Sequence, residues 1–258
     1  EGTLDQLYNN DFRKFIEYNI QDTALLDKLD KKLRFIDLSN ELAHANTVML
    51  QTTMGAVAVT DQAVINEAHR LGMVVPDRPR RSDDAKDNAA AGAYVAVPKQ
   101  GMHEWIGSMD INSLYPSLIR ALNMSPETIV GQVRQSRTLA GIDEFIAHGK
   151  GIAEFWEGKF ACFEYESVMA REIGTSETID WTDGTSTQMS SAQVYDYVFH
   201  GGQPLMISGN GTIFKYDTKG VIPGLLERWY AERKELQAKK KEATTDDEKA
   251  FYDKRQLV

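Results

Sequence analysis

A single cysteine, Cys162, stands among the 258 residues. An internal disulfide or a cysteine-rich zinc site is therefore excluded, and a reducing cytoplasm is the compartment expected. Long apolar runs are missing too. Nothing approaches the roughly 20 residues that span a bilayer, and Glu1-Gly2-Thr3-Leu4-Asp5 has neither the basic start nor the apolar centre of a secretory leader. Histidine is scarce, and His44, His69, His103, His148 and His200 are scattered with no HExxH-type pair, so they read as structural residues. Positive charge is short as well. The net charge of -9 counts against non-specific nucleic-acid binding, which depends on Lys and Arg neutralising phosphates. A local groove can still be basic, and Arg78, Arg80 and Arg81, and again residues 233–241, gather the cations that exist.

What is present suffices for a sizeable core: 42% of the residues are hydrophobic, and the length suits one or two domains. The first residue is not Met, and both ends lie inside helix-like patterns, so the sequence reads as a piece of a longer protein. Apolar periodicity predicts a long helix over 11–33, capped at Asn10 or Asp11. Further helices are predicted over 35–50 and 60–71. Residues 76–88 read as a charged, proline-bearing connector. Strands are expected over 92–97 and 105–111, then a helix over 116–122 with Pro116 near its start. Residues 130–206 give mixed signals, and 172–192, rich in Ser, Thr, Gly and Asp, reads as a variable insertion. Gly209-Asn210-Gly211 marks a hairpin between 205–208 and 212–216. A helix from Pro223 runs into Lys239-Lys240-Lys241, and a capping box from Thr245 to Glu248 begins another, so two antiparallel helices should close the chain. The fold class expected is α+β.

Residues 109–117 read MDINSLYPS. A carboxylate at a strand's end, beside a turn with outward-facing N–H groups, can hold a divalent cation and leave room for a phosphate. Phosphoryl transfer by two metals needs such hard oxygen ligands. The same spacing also suits a plain helix cap by Asp110 with Tyr115 in the core. Spacing alone leaves both readings open.

The longer string changes that. Residues 110–120, DINSLYPSLIR, followed by NMSPET at 123–128, closely resemble motif A of family B DNA polymerases and are most similar to the replicative enzymes of T-even-type bacteriophages. The resemblance implies that Asp110 is catalytic and binds both metals, with the Ile111 carbonyl joining the second. It also implies that the amides of Ser113, Leu114 and Tyr115 bind the incoming triphosphate. The Tyr115 ring would lie under the sugar and exclude a 2′-hydroxyl.

Other stretches follow in the family's order. Tyr18-Asn19-Ile20-Gln21-Asp22 resembles the third motif of the proofreading exonuclease, which implies that Tyr18 orients a water and Asp22 holds a metal. Gly92-Ala93-Tyr94-Val95 resembles the segment near the template, so Gly92 and Tyr94 are its DNA-binding candidates. Glu232-Arg233-Lys234-Glu235 resembles the first fingers helix, where Arg233 would grip the triphosphate. Gln237 stands where a second basic residue is expected, and Lys234 or Lys240 could replace it. Arg255-Gln256-Leu257 resembles the opening of motif B. The DTD of motif C is absent; Tyr216-Asp217-Thr218-Lys219 imitates it but lacks the second aspartate and precedes the fingers helix. Asp246 and Glu248 have the spacing of the first exonuclease motif, but a helix N-terminus explains them better.

The organisation implied is the end of a 3′-5′ exonuclease domain over 1–34, a helical connector over 35–88, a partial palm with an antiparallel sheet over 89–220, and partial fingers over 221–258. The parent would be a DNA-directed DNA polymerase with proofreading, using two magnesium ions, primer-template DNA and deoxynucleoside triphosphates in the host cytoplasm. A sliding clamp would be its partner, through a C-terminus outside this chain. With one polymerase carboxylate, these residues alone are expected to be inactive. Two other readings stay open: a non-catalytic, acidic interaction protein with a palm-like fold, and a nuclease that works at Asp22.

Overall fold

A computed structural model describes residues 3–77 and 95–256. The chain divides into two compact units, one of residues 1–75 with 229–258 and the other of residues 76–228. The architecture is α+β, as expected, with many helices and one five-stranded antiparallel sheet. Among the described residues, no helix is long and apolar enough to cross a membrane.

The first unit is helical. Helix α1 (Leu4–Asn10) carries a capping box from Thr3 to Gln6. The Asp11 side chain then accepts the Lys14 N–H and starts α2 (Phe12–Leu33), one of the two caps the sequence offers. Arg34, in the left-handed conformation at φ 55°, turns the chain into α3 (Phe35–Asn46). That helix ends short of the expected residue 50 because Thr47 is also left-handed. The turn is tied down by Asn66, whose side-chain amide donates to the Asn46 carbonyl and the Thr47 hydroxyl. A 3-10 turn (Leu50–Met54) leads to α4 (Ala56–Arg70), which starts earlier than predicted.

The second unit holds the sheet. After α5 (Leu114–Ala121) and a 3-10 turn (Pro126–Thr128) come β1 (Ile129–Val133), α6 (Ser136–Ala147), α7 (Ile152–Phe155) and α8 (Phe163–Ala170). The chain continues as β2 (Ser176–Trp181), β3 (Ser186–Ser190), α9 (Ser191–Phe199), β4 (Leu205–Ile207) and β5 (Thr212–Lys215). The strand order is β3-β2-β1-β5-β4. Gly131 of β1 faces Trp181 of β2, and a Cβ there would meet the indole at 2.8 Å, so glycine lets the ring lie across the strand. Val133, Ile179, Ile207 and Ile213 from the sheet pack with Val168 of α8 and Val194 and Val198 of α9 to form the core. The predicted hairpin is present as β4 and β5, with Gly211 at φ 85°.

Helix α10 (Val221–Glu242) has Pro223 in its first turn, where a missing N–H costs nothing. Helix α11 (Asp246–Arg255) begins with the predicted capping box of Thr245 and Glu248, and Lys240 of α10 pairs with Asp253 of α11.

The two strands expected before Asp110 are not found among the described residues. Residues 105–111 form no strand: residues 95–113 carry neither helix nor strand and are exposed, with Trp105 and Met109 each 99% exposed. A strand needs a neighbour for its N–H and C=O groups. The described sheet is built from other segments, and none of its strands pairs with this one, so an apolar approach alone does not become a strand. Val95–97 likewise lies outside any strand, while Gly92 and Tyr94 fall outside the described residues. The stretch 172–192, expected as a variable insertion, contains β2 and β3, which make up the sheet on one side of β1.

Under that sheet lies a buried polar network. Glu164 of α8 is fully buried and caps α6 from outside, accepting the N–H groups of Arg137 at 2.6 Å and Thr138 at 3.1 Å as well as the Thr138 hydroxyl. Burial pushes its carboxyl up, but these donors outweigh burial and hold it below the usual range. Glu177 of β2 is pushed the other way, chiefly by burial, although Arg137 pairs with it. A group whose folded pKa is lowered stabilises the protein above the unfolded carboxylate range, and that contribution fades as pH falls through the folded value. Glu164→Ala is therefore expected to cost about 1–3 kcal/mol at neutral pH, because buried amides lose their acceptor. Urea unfolding between pH 7 and pH 3 checks it: the difference from wild type should shrink in acid, and a pH-independent difference would contradict this account.

Candidate active site

Asp110 lies in the exposed segment 95–113, three residues before Ser113, which caps α5 in the left-handed conformation at φ 52°. The first intrahelical bond runs from the Ser117 N–H to the Ser113 carbonyl at 2.9 Å. The amides of Ser113, Leu114 and Tyr115 precede that bond, so the helix itself leaves them unsatisfied. Pro116 has no N–H to add, and it sits in the first turn as expected. The Ser117 hydroxyl reaches back to the Asn112 carbonyl at 3.1 Å and fixes the turn. The result is a carboxylate followed by a helix start with free donors, a place where an anion and a cation can be held side by side.

Tyr115 is 66% exposed and Ile111 64%, so neither is core. That removes the plain reading in which Tyr115 fills the interior. Asp110 makes no ion pair among the described residues, and no group of three or more His, Cys, Asp or Glu side chains there is placed to hold a metal. These residues fit a contribution to a metal site, not a closed one.

In the other unit, Tyr18 and Asp22 share one face of α2, as their spacing predicts. The neighbouring Asp22 carboxylate raises the Tyr18 phenol above its ordinary value. Arg233 is exposed on α10. Of the two lysines that could stand in for the missing basic neighbour, Lys240 is engaged by Asp253, while Lys234 lies over the Tyr230 ring at 5.4 Å.

The sequence reading passed over the structural role of 123–128. Asn123 follows α5 in the left-handed conformation and is 2% exposed. Its side-chain amide donates to the carbonyls of Lys215 at 2.9 Å and Thr218 at 2.8 Å, and its carbonyl oxygen accepts the Gly220 N–H at 3.0 Å. Glu127 accepts the Val221 N–H at 2.6 Å and the Ser125 hydroxyl at 2.8 Å. The Ser125 hydroxyl also takes the Ile222 N–H at 3.4 Å. Burial raises the Glu127 carboxyl, but the Val221 amide and the other donors bring it below the usual range. A Cβ on Gly220 would meet that of Ser125 at 2.6 Å, so only glycine permits the approach. A Ser-x-x-Thr capping signal at 125–128 was visible in the sequence; its partner almost a hundred residues on was not.

The family model described as DNA polymerase family B matches residues 47–258, well over half of the chain. Among curated proteins, the DNA-directed DNA polymerase of Escherichia phage RB69 is 30% identical over 131 residues, 51% of this chain and 14% of that protein. The DNA-directed DNA polymerase of Enterobacteria phage T4 is 31% identical over 147 residues, 57% of this chain and 16% of that protein. DNA polymerase II of Escherichia coli (strain K12) is 26% identical over 132 residues, 51% of this chain and 16% of that protein. The chain thus spans a small part of the length of the relatives it matches.

Proposed function

Because the chain belongs to DNA polymerase family B, with T-even-type phage enzymes among its relatives, we propose that it is a segment of a template-directed DNA polymerase with 3′-5′ proofreading. The observation that supports this reading is that Asp110 comes three residues before Ser113, at a helix start where the amides of 113–115 have no intrahelical acceptor. Asp110 supplies a carboxylate ligand and the Ile111 carbonyl a second oxygen. The amides of Ser113, Leu114 and Tyr115 receive phosphate oxygens of a deoxynucleoside triphosphate, and the resemblance gives Arg233 the part of a bidentate triphosphate-binding cation. Magnesium, when bound, would neutralise the phosphates and favour an ionised primer 3′-hydroxyl. A second carboxylate must come from outside these residues, because two ions need more oxygen ligands than Asp110 and a carbonyl offer. The chain by itself is therefore inactive in this reading.

Excision would use Asp22 as a metal ligand, with Tyr18 orienting the attacking water. Primer-template DNA is the partner, and a sliding clamp would join through parts of the polymerase outside this chain. The test separates the two activities. In the complete polymerase, Asp22→Ala is expected to slow excision of a mismatched primer end at least about tenfold while extension persists. Extension that fails with Asp22→Ala and survives Asp110→Ala would favour the nuclease reading. No extension by the complete wild-type protein would leave the acidic interaction protein.

A further inference from the structure

Helix α5 has no buried residue to key it into its unit, whereas Asn123, Ser125 and Thr128, just beyond its end, are buried. At its start the chain arrives from residues 95–113, which carry neither helix nor strand and are exposed. The anchor of α5 therefore lies at its C-terminal end.

Asn123 is that anchor. It leaves the helix at φ 53°, in the left-handed region that asparagine tolerates, and the Met124 N–H closes the turn on the Ile119 carbonyl at 2.9 Å. Both of its side-chain N–H groups are engaged, by the carbonyls of Lys215 and Thr218, and its side-chain oxygen accepts the Gly220 N–H. Lys215 is the last residue of β5, a strand paired with β1 on one side and β4 on the other. The Asn123 backbone carbonyl accepts the Thr128 hydroxyl at 2.6 Å, and that hydroxyl takes the Ser125 N–H at 3.1 Å. Glycine would end a helix equally well. It has no side chain to join that end to three backbone groups 92 to 97 positions away.

An eight-residue helix is about 12 Å long, so a tilt of about 5° at its C-terminal end moves its first amides by about 1 Å. A shift of that size spoils hydrogen bonds to a bound phosphate, whose lengths range over only a few tenths of an ångström. We infer that Asn123 is a positioning residue for nucleotide binding: it sets the direction of α5 and so the place of the Ser113, Leu114 and Tyr115 amides. Asn123, its partners and those amides all belong to the unit of residues 76–228. The inference rests on the polymerase reading of the amides.

The complete polymerase tests it by pre-steady-state primer extension at varied deoxynucleotide concentration. Asn123→Gly keeps the left-handed turn and removes the three side-chain bonds. It is expected to raise the nucleotide concentration for half-maximal rate about tenfold, the equivalent of one hydrogen bond to a charged group, with the maximal rate within about threefold of wild type. Glu164→Ala, which loosens the contact of α8 with α6 in the same unit, is the control. It should lower the thermal midpoint and leave that concentration within about twofold of wild type. If Asn123→Gly does not fold, Thr128→Val decides: it removes the hydroxyl that donates to the Asn123 carbonyl and should raise the concentration about threefold. A lowered thermal midpoint with unchanged nucleotide dependence in the deciding variant would make these bonds merely structural and overturn the inference, as would an equal rise with Glu164→Ala. Wild-type protein that extends no primer would overturn the polymerase reading itself, so the two failures are distinguishable.

Discussion

Asp110→Ala in the complete polymerase is expected to slow primer extension by about 10⁴-fold, roughly 5 kcal/mol of transition-state stabilisation. The loss should fall on activity alone. Asp110 stands in the exposed segment 95–113 with no ion pair among the described residues, and an exposed side chain without partners contributes within about 0.5 kcal/mol to stability. Unfolding by urea should therefore be unchanged while extension collapses. Asp110→Asn should do nearly the same, because an amide keeps the size but not the charge that a hard cation requires. Excision through Asp22, on a helix of the other unit, should persist. An Asp110→Ala enzyme that still extends primers within about tenfold of wild type would remove the carboxylate from the mechanism.

Tyr115→Ala should lower the preference for deoxyribonucleotides over ribonucleotides by about a hundred- to a thousandfold, the equivalent of roughly 3–4 kcal/mol of steric exclusion. At 66% exposed, Tyr115 leaves no core cavity when removed, so the folded state should be little affected. In the proposed reading the ring, not its hydroxyl, is the barrier. Tyr115→Phe should therefore keep the discrimination, and single-nucleotide incorporation with each sugar type distinguishes the variants. Equal discrimination by wild type and Tyr115→Ala would show that the sugar is read elsewhere.

How much of this was legible in the sequence varied with the range of the forces involved. The Asp11 and Thr245 caps, Pro116 near the start of α5 and the Gly209-Asn210-Gly211 hairpin rest on contacts among residues a few positions apart, and each is found. The placing of Tyr18 and Asp22 four residues apart on one helix is of the same kind. Strands were harder. In β2, Glu177 and Ile179 are the buried positions, so a charged residue occupies the inward face, which alternation reads as outward. Glu177 can lie there because Arg137 and Ser191, from elsewhere in the chain, meet its carboxylate. Residues 105–111 failed for the opposite reason: their pattern suits a strand, but no described strand pairs with them.

The sequence by itself determined the order along the chain of the residues proposed to carry the chemistry: Tyr18 and Asp22, then Asp110 to Tyr115, then Arg233. It also determined the local helices around them, because helix caps and side-chain spacings act over three or four residues. Tertiary structure alone decided that Glu164 caps α6, that 172–192 completes the sheet, and that 123–127 caps α10. Each of these joins donors to acceptors far apart in the chain, and a buried amide or carboxylate must find its partner wherever folding brings one within hydrogen-bond reach.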